Sequence, residues 1–533
     1  MSDLLWELPF RTAERHPDCE AVSFGGETLS YQQFGEAIEA TAVALVSLGF
    51  ERSARVGIWI EKRLETAIAI FAAARAGCTF VPINPLLKPE QAAYIARDCK
   101  LELLVTNAPR LAGFAPMLAE CPDLRHVVVV GSGGTPELAS GGVQVLGWDA
   151  LLASADRCAR PHRVLDIDMA GILYTSGSTG KPKGVVLSHR NIVEGARSVA
   201  SYLGNTEDDR ILAVLPLSFD YGLSQLTTSF LVGAQVVLHN YLLPQDLIRT
   251  LARERITGLA AVPPLWIQLA ALDWPASIDW HLRYFTNSGG AMPTATLAQL
   301  RRRVPRAKPY LMYGLTEAFR STYLPPEEVD RRPTSIGKAI PNAEVLVVRE
   351  DGSECAPGEP GELVHRGALV SMGYWNDPEK TAERFRPLPG QRRELVLPEI
   401  AVWSGDTVRK DEEGFLYFVS RRDEMIKTSG YRVSPTEIEE VVYRCGLVAE
   451  AAAFGVDHPA LGQAIVLVAQ PAEGKSSDSK ALIDACRAQL PAFMVPIHVD
   501  WLDSALPRNA NGKIDRKALA AERAGLFAPE ENC

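Results

Sequence analysis

Leu173-Tyr174-Thr175-Ser176-Gly177-Ser178-Thr179-Gly180-Lys181-Pro182-Lys183-Gly184-Val185-Val186-Leu187-Ser188-His189-Arg190-Asn191 is the stretch on which the reading of this chain turns. From Thr175 to Gly184 it contains only Thr, Ser, Gly, Lys and Pro, and the residues on either side are apolar. That order predicts a strand, a polar loop and a second strand. Thr175, Ser176, Gly177, Ser178, Thr179, Gly180, Lys181 and Lys183 would line the loop with hydroxyls, amides and ammonium groups suited to phosphate oxygens. A P-loop of the G-x-x-x-x-G-K-[ST] type needs a helix directly after its lysine. Here Pro182 follows Lys181 and β-branched residues follow soon after, so a strand is expected and that motif is excluded. A plain Ser/Gly linker is the bland alternative, but linkers are rarely clamped between two apolar strands.

Working outward, 533 residues give room for roughly three or four domains or subdomains. Hydrophobic content of 47% and charged content of 23% are those of a folded chain. The net charge is −10, from 55 basic and 65 acidic residues, and no basic block opposes it, which argues against a nucleic-acid partner. The run Arg301-Arg302-Arg303 reads as a solvated helix face. Nine scattered cysteines, with no C-x-x-C pair and no zinc spacing, imply free thiols in a reducing, cytoplasmic setting. Asp3, Glu7 and Arg11 are inconsistent with a signal peptide. The longest apolar stretch, 66–83, is broken by Arg75 and Gly77 and reads as helix, turn and strand, so no membrane contact of the integral kind is expected.

Ser30-Tyr31-Gln32-Gln33 forms a capping-box pattern, and apolar residues then recur at helical spacing up to Gly49. Strands at 55–60, 79–83, 101–106 and 125–131 alternate with helices at 64–76 and 89–98. Beyond the phosphate loop, strands at 211–215, 234–239, 258–262 and 283–287 continue the alternation. Such alternation predicts parallel sheets with covered faces. From about Thr334 to Ser420 the chain turns rich in Gly and Pro, with hairpin signals at Asp351-Gly352 and Glu413-Gly414. Ser434-Pro435-Thr436-Glu437 repeats the capping-box pattern at the head of a final segment.

The run TSGSTGKPKGV closely resembles the phosphate loop of the AMP-forming adenylating enzymes: acyl-CoA synthetases, firefly luciferase and the adenylation domains of peptide synthetases. The resemblance extends over almost the whole chain. It implies an α/β fold: a large N-terminal body of parallel α/β subdomains plus a small β-barrel subdomain, residues 1–422. A small mobile α+β C-terminal domain, 423–533, would follow. The implied chemistry joins a carboxylate to the α-phosphate of ATP with Mg²⁺, expels pyrophosphate, and passes the acyl group to the thiol of CoA or of a carrier-protein phosphopantetheine. An ionised carboxylate needs no general base, so catalysis rests on cations and positioning.

Residue by residue, the resemblance implies that Gly289, Gly290 and Ala291 pack beside adenine. In Tyr313-Gly314-Leu315-Thr316-Glu317, Tyr313 would stack on adenine, with Gly314 beside it, Thr316 would touch the α-phosphate and Glu317 would hold Mg²⁺. Asp406 would accept from the ribose hydroxyls and Arg421 would contact the ribose. Asp423 would be the hinge, although Ser420 stands where the family pattern has glycine. Lys513, in Asn511-Gly512-Lys513, would bridge carboxylate and α-phosphate. Ser429, Gly430 and Tyr431 would line the thiol passage after the C-terminal domain rotates. Taken alone, each of these strings is an ordinary turn or cap.

Phe219-Asp220 resembles the adenylation domains, whose aspartate pairs with a substrate ammonium. An unpaired carboxylate in an apolar pocket is costly, so Asp220 is expected either to meet a substrate ammonium or to cap a helix beginning near Gly222. Arg320 is expected to reach a second substrate carboxylate or to lie at the surface. An amino acid or amino-dicarboxylic acid is therefore the expected substrate. A fatty or aryl acid without amino recognition, and an inactive nucleotide-binding homologue, are the alternatives.

Overall fold

Helix Leu64–Ala76 shows how the body is assembled: every residue but Glu65 and Arg75 is buried. Its six alanines keep it thin, so layers can close on it from both sides. It ends as its sequence predicts, on Gly77 in the left-handed region at φ 81°. The computed structural model describes residues 3–131, 142–156, 158–175, 182–391, 394, 396–421, 424–428, 431–458, 461–490, 492–509 and 512–527.

Two sheets flank this interior. The first runs, in spatial order, through Gln144–Gly147, His126–Val129, Leu103–Thr106, Arg55–Ile58, Thr79–Pro82, Met169–Thr175 and Lys183–Ser188. Its strands are parallel except the last, which returns antiparallel from the phosphate loop. The second has nine strands, with a parallel centre formed by Lys308–Tyr313, Tyr284–Asn287, Gly258–Ala261, Arg210–Ala213 and Gln235–Leu238. The N-terminal strand Glu20–Phe24 adds to that sheet in parallel beside Gln235–Leu238, a crossover that local periodicity does not reveal. Parallel strands buried on both faces explain the near-continuous apolar runs.

Helix Tyr31–Ser47 begins with the expected capping box on Ser30. Its Phe34 meets Phe71 of the buried helix and Phe230 of helix Asp220–Val232, with ring centroids 5.0–6.0 Å apart. This three-ring junction fixes one end of helix Asp220–Val232 in the core and leaves its first turn facing the site.

Where a small barrel is expected after Thr334, the described residues form a five-stranded antiparallel sheet whose hydrogen-bonded path is open. Strand Ile400–Lys410 is its spine, pairing with Pro360–Gly367 on one edge and with Phe385–Pro387 and Leu416–Arg421 on the other. The C-terminal domain is α+β: the hairpin Val448–His458 and Gly462–Pro471 carries helix Pro435–Arg444 and two further helices. The expected capping box at Ser434 does not form. The Ser434 hydroxyl donates instead to the Val419 carbonyl of strand Leu416–Arg421, so the side chain stitches helix to body rather than capping its own backbone. Thr294 Oγ1 adds a second stitch, donating to Glu440 Oε1 at 2.7 Å. No helix among the described residues is long and apolar enough to cross a membrane.

Gly222 exposes a tight tolerance in this frame, because a Cβ there would lie 1.8 Å from the Pro216 carbonyl oxygen. Gly222→Ala should push the first turn of helix Asp220–Val232 out of place and cost about 1–3 kcal/mol, as overpacking does. Guanidinium denaturation would read this as a lower midpoint at unchanged slope. Gly525→Ala, where a Cβ meets nothing within 4 Å, should leave the midpoint in place.

Candidate active site

The hairpin that carries the phosphate loop closes with Thr175 opposite Lys183. Ser176, Gly177, Ser178, Thr179, Gly180 and Lys181 lie outside the described residues. The returning strand is sewn to the segment around Tyr374: Val186 N donates to Gly373 O at 3.0 Å and Trp375 N to Gly184 O at 2.7 Å. This places the Tyr374 ring under the Lys183 ammonium, 5.3 Å from nitrogen to centroid. The Tyr374 hydroxyl donates to Glu317 Oε1 at 2.6 Å. Desolvation, then the neighbouring charges of Lys380 and Arg384, hold the Lys183 ammonium below its ordinary range. The charges of Lys183, Lys380 and Arg384 thus act on one another here.

On the nucleoside side, the β-ladder puts Asp406 opposite Arg421. Asp406 is 7% exposed; Tyr313 donates to its Oδ2 at 2.6 Å, and Arg421 Nε stands 3.6 Å from its Oδ1. Burial raises the Asp406 carboxyl above its usual value, against the opposing pull of Arg421 and the Tyr313 hydroxyl. Arg384 lies flat on Gly405, where a Cβ would sit 2.0 Å from its Nη1, and its charge acts on both Lys183 and Asp406. Gly289, Gly290 and Ala291 form an exposed lip, pinned where Asn287 Nδ2 donates to Gly290 O at 2.9 Å.

Lys513 reaches this lip from the C-terminal domain: its Cε is 3.6 Å from where a Gly289 Cβ would stand. Lys513 remains an exposed residue at this lip. Desolvation, then Arg421, lowers its ammonium below the ordinary 10.5, while Asp220, Asp406 and Glu424 oppose that shift.

Asp220 and Arg320, expected to engage opposite ends of a substrate or to serve as cap and surface residue, are instead bound to each other. Arg320 Nη1 donates to Asp220 Oδ2 at 2.6 Å, and Thr316 Oγ1 donates to Asp220 Oδ1 at 3.2 Å. The helix begins at Asp220 itself, after Phe219, so Asp220 lies inside the first turn and is not its cap. Arg320 is 1% exposed. A tight turn delivers it: Phe319 adopts φ 54°, ψ −46°, and Arg320 N donates to Ala318 O at 2.5 Å. That strained γ-turn geometry is tolerated because the Phe319 ring fills the space over Gly195, where a Cβ would lie 2.4 Å from it.

Asp423, Ser429 and Gly430 lie outside the described residues, and of Tyr431 only the backbone is described, paired with Thr428. Sequence reasoning missed Tyr374, Lys380 and Arg384. Their signal was the run Tyr374-Trp375-Asn376-Asp377-Pro378, whose Asp377 caps helix Pro378–Arg384, the helix that carries Lys380 and Arg384. Among the described residues no cluster of three or more His, Cys, Asp or Glu could cage a metal. Glu317 supplies a lone carboxylate, positioned through Oε1, and Mg²⁺ accepts one such ligand completed by phosphate and water oxygens.

The AMP-binding enzyme family matches residues 9–375, and the AMP-binding enzyme C-terminal domain matches residues 437–513. A linear gramicidin synthase of Brevibacillus parabrevis is 31% identical over 513 residues, which are 95% of this chain and 6% of that protein. The chain therefore spans a small part of that relative's length. Indoleacetate–CoA ligase of Aromatoleum aromaticum is 31% identical over 524 residues, covering 96% of this chain and 97% of the relative. The crystal structure of ATP-bound MatB from Rhodopseudomonas palustris covers 99% of this chain and 100% of its own, with a TM-score of 0.84 at 25% identity.

Tyr374 orients Glu317 without neutralising it. Tyr374→Phe should therefore raise the Mg²⁺ concentration needed for half-maximal activity about 10-fold, the low end for losing a partner that orients a metal ligand. Titration of Mg²⁺ at saturating ATP checks this; an unchanged midpoint would detach Tyr374 from the metal site.

Proposed function

The chain belongs to the AMP-binding enzyme family, and from that membership we propose that it activates a carboxylic acid as its acyl-adenylate and transfers the acyl group to a pantetheine thiol. A carboxylate oxygen attacks the α-phosphorus of ATP, the bond to the bridging oxygen breaks, and pyrophosphate leaves. Thiol sulfur then attacks the acyl carbon, the acyl–phosphate bond breaks, AMP leaves and the thiol proton passes to solvent. CoA or a carrier protein would supply that thiol.

One observation carries the reading. Lys513 reaches Gly289 from the C-terminal domain, and its charge acts on Asp406, Arg421 and Asp220, which supports a role between nucleotide and acid. Two anions must meet in adenylation, and a cation inserted between them stabilises the charge that develops. Lys183 and Arg384 would hold the leaving phosphates, Asp406 and Arg421 the ribose, and Tyr313 the base. Glu317 would hold Mg²⁺, which when bound neutralises phosphate charge. Thr316 is placed by Asp220 on the same loop. Thioester formation would use the C-terminal face that includes Tyr431, after rotation about Asp423.

Lys513→Ala should lose about 10²-fold or more in acid-dependent ATP–pyrophosphate exchange, the scale of deleting one transition-state donor. Thioester formation from supplied acyl-adenylate should persist. Because desolvation depresses the Lys513 ammonium, wild-type exchange should fall as pH rises through a value below 10.5, as the required charge is lost. Equal loss in both half-reactions, or no alkaline decline, would contradict the role.

A further inference from the structure

We propose that Arg320 determines the substrate class: by neutralising Asp220 from within the protein, it restricts the acid pocket to carboxylic acids that carry no ammonium group beside the carboxylate. The inference rests on the adenylation reading above and adds to it the chemistry of the acid.

Asp220 stands beside the groups assigned above to the reaction. It is bonded to Thr316, the residue preceding Glu317, and its charge acts on the Lys513 ammonium. It opens helix Asp220–Val232, whose N-terminus favours an anion, and it is 8% exposed. A carboxylate this deep needs a cation or several donors. The chain provides the cation itself, 100 residues further on, through Arg320 Nη1 at 2.6 Å.

Arg320 is committed to that position. Its Nη1 also donates to Phe319 O at 3.2 Å, and its guanidinium carbon lies 4.7 Å from the Tyr221 ring centroid and 5.9 Å from that of Phe319. The Nε and Nη2 groups are enclosed with no acceptor, so the pair has no other carboxylate to turn to. Tyr221 is itself fixed, its hydroxyl 2.5 Å from Thr286 Oγ1. A substrate ammonium approaching Asp220 would stand beside this guanidinium, two cations sharing one carboxylate in a low-dielectric site. An acid with hydrogen or carbon at that position meets a neutral pair and no such repulsion.

The pair is more than a staple between helix and loop only if its charges select the ligand. Propionyl- and alanyl-sulfamoyl adenosine, unreactive mimics of two adenylates, differ by one ammonium and can be compared by calorimetry on the full chain. The wild type should bind the propionyl compound at least about 10-fold more tightly, given the cost of placing like charges together. Arg320→Leu leaves Asp220 without its cation and should reverse the preference. The double variant Asp220→Asn with Arg320→Leu removes both buried charges and should bind the two compounds alike. It decides the matter if the single variant does not fold. Wild-type preference for the alanyl compound, or an unchanged preference in the double variant, would overturn the inference alone. Failure of both compounds to bind or to displace ATP would overturn the adenylation reading, and the inference with it.

Discussion

Three carboxylates define the cleft, and each is gripped by a hydroxyl from a different part of the chain: Tyr313 on Asp406, Tyr374 on Glu317 and Thr316 on Asp220. A neutral hydroxyl satisfies one oxygen of a desolvated carboxylate without cancelling its charge. Asp406 and Glu317 are thus each oriented by a tyrosine hydroxyl. Asp220 differs from Asp406 in degree: its guanidinium, Arg320, is buried and hydrogen-bonded at 2.6 Å, whereas Arg421 is half-exposed and stands 3.6 Å from Asp406. That difference separates carboxylates held ready for a ligand from one whose charge is met inside the fold.

The cations follow a complementary logic. Lys183 and Arg384 are fixed within the body, through the Tyr374 ring and the bare surface of Gly405. Lys513 belongs to the C-terminal domain and stands across a seam where Thr294 bonds to Glu440 and Ser434 to Val419. A cation that is partly desolvated on entry gains from the anions it meets, which couples docking of the C-terminal domain to the occupancy of the cleft.

Much of this was legible in the sequence because it is local. The capping box at Ser30, the buried alanine-rich helix with its Gly77 stop and the strand after Lys183 each depend on neighbours a few residues away. Of the residues that motif resemblance singled out, Tyr313, Asp406, Arg421 and Lys513 act on one another across one cleft. What the sequence hid is non-local. Asp220 and Arg320 are apart in sequence by 100 residues, and each alone suggested an exposed or ligand-facing role. Ser434 carries every local mark of a cap, yet a carbonyl from another domain competes successfully for its hydroxyl. Tyr374 and Arg384 belong to no phosphate-like string; only the pairing of strand Lys183–Ser188 with the Tyr374 segment makes them neighbours of Lys183.

The central claim is that the carboxylate attacks the α-phosphorus. Turnover of a substrate acid labelled with ¹⁸O in its carboxylate, with ATP, Mg²⁺ and a pantetheine thiol, tests it most directly by mass spectrometry of the products. The account predicts a single ¹⁸O in AMP for each thioester formed and none in pyrophosphate. Label in inorganic phosphate, with ADP as the nucleotide product, would place the attack on the γ-phosphorus and contradict it.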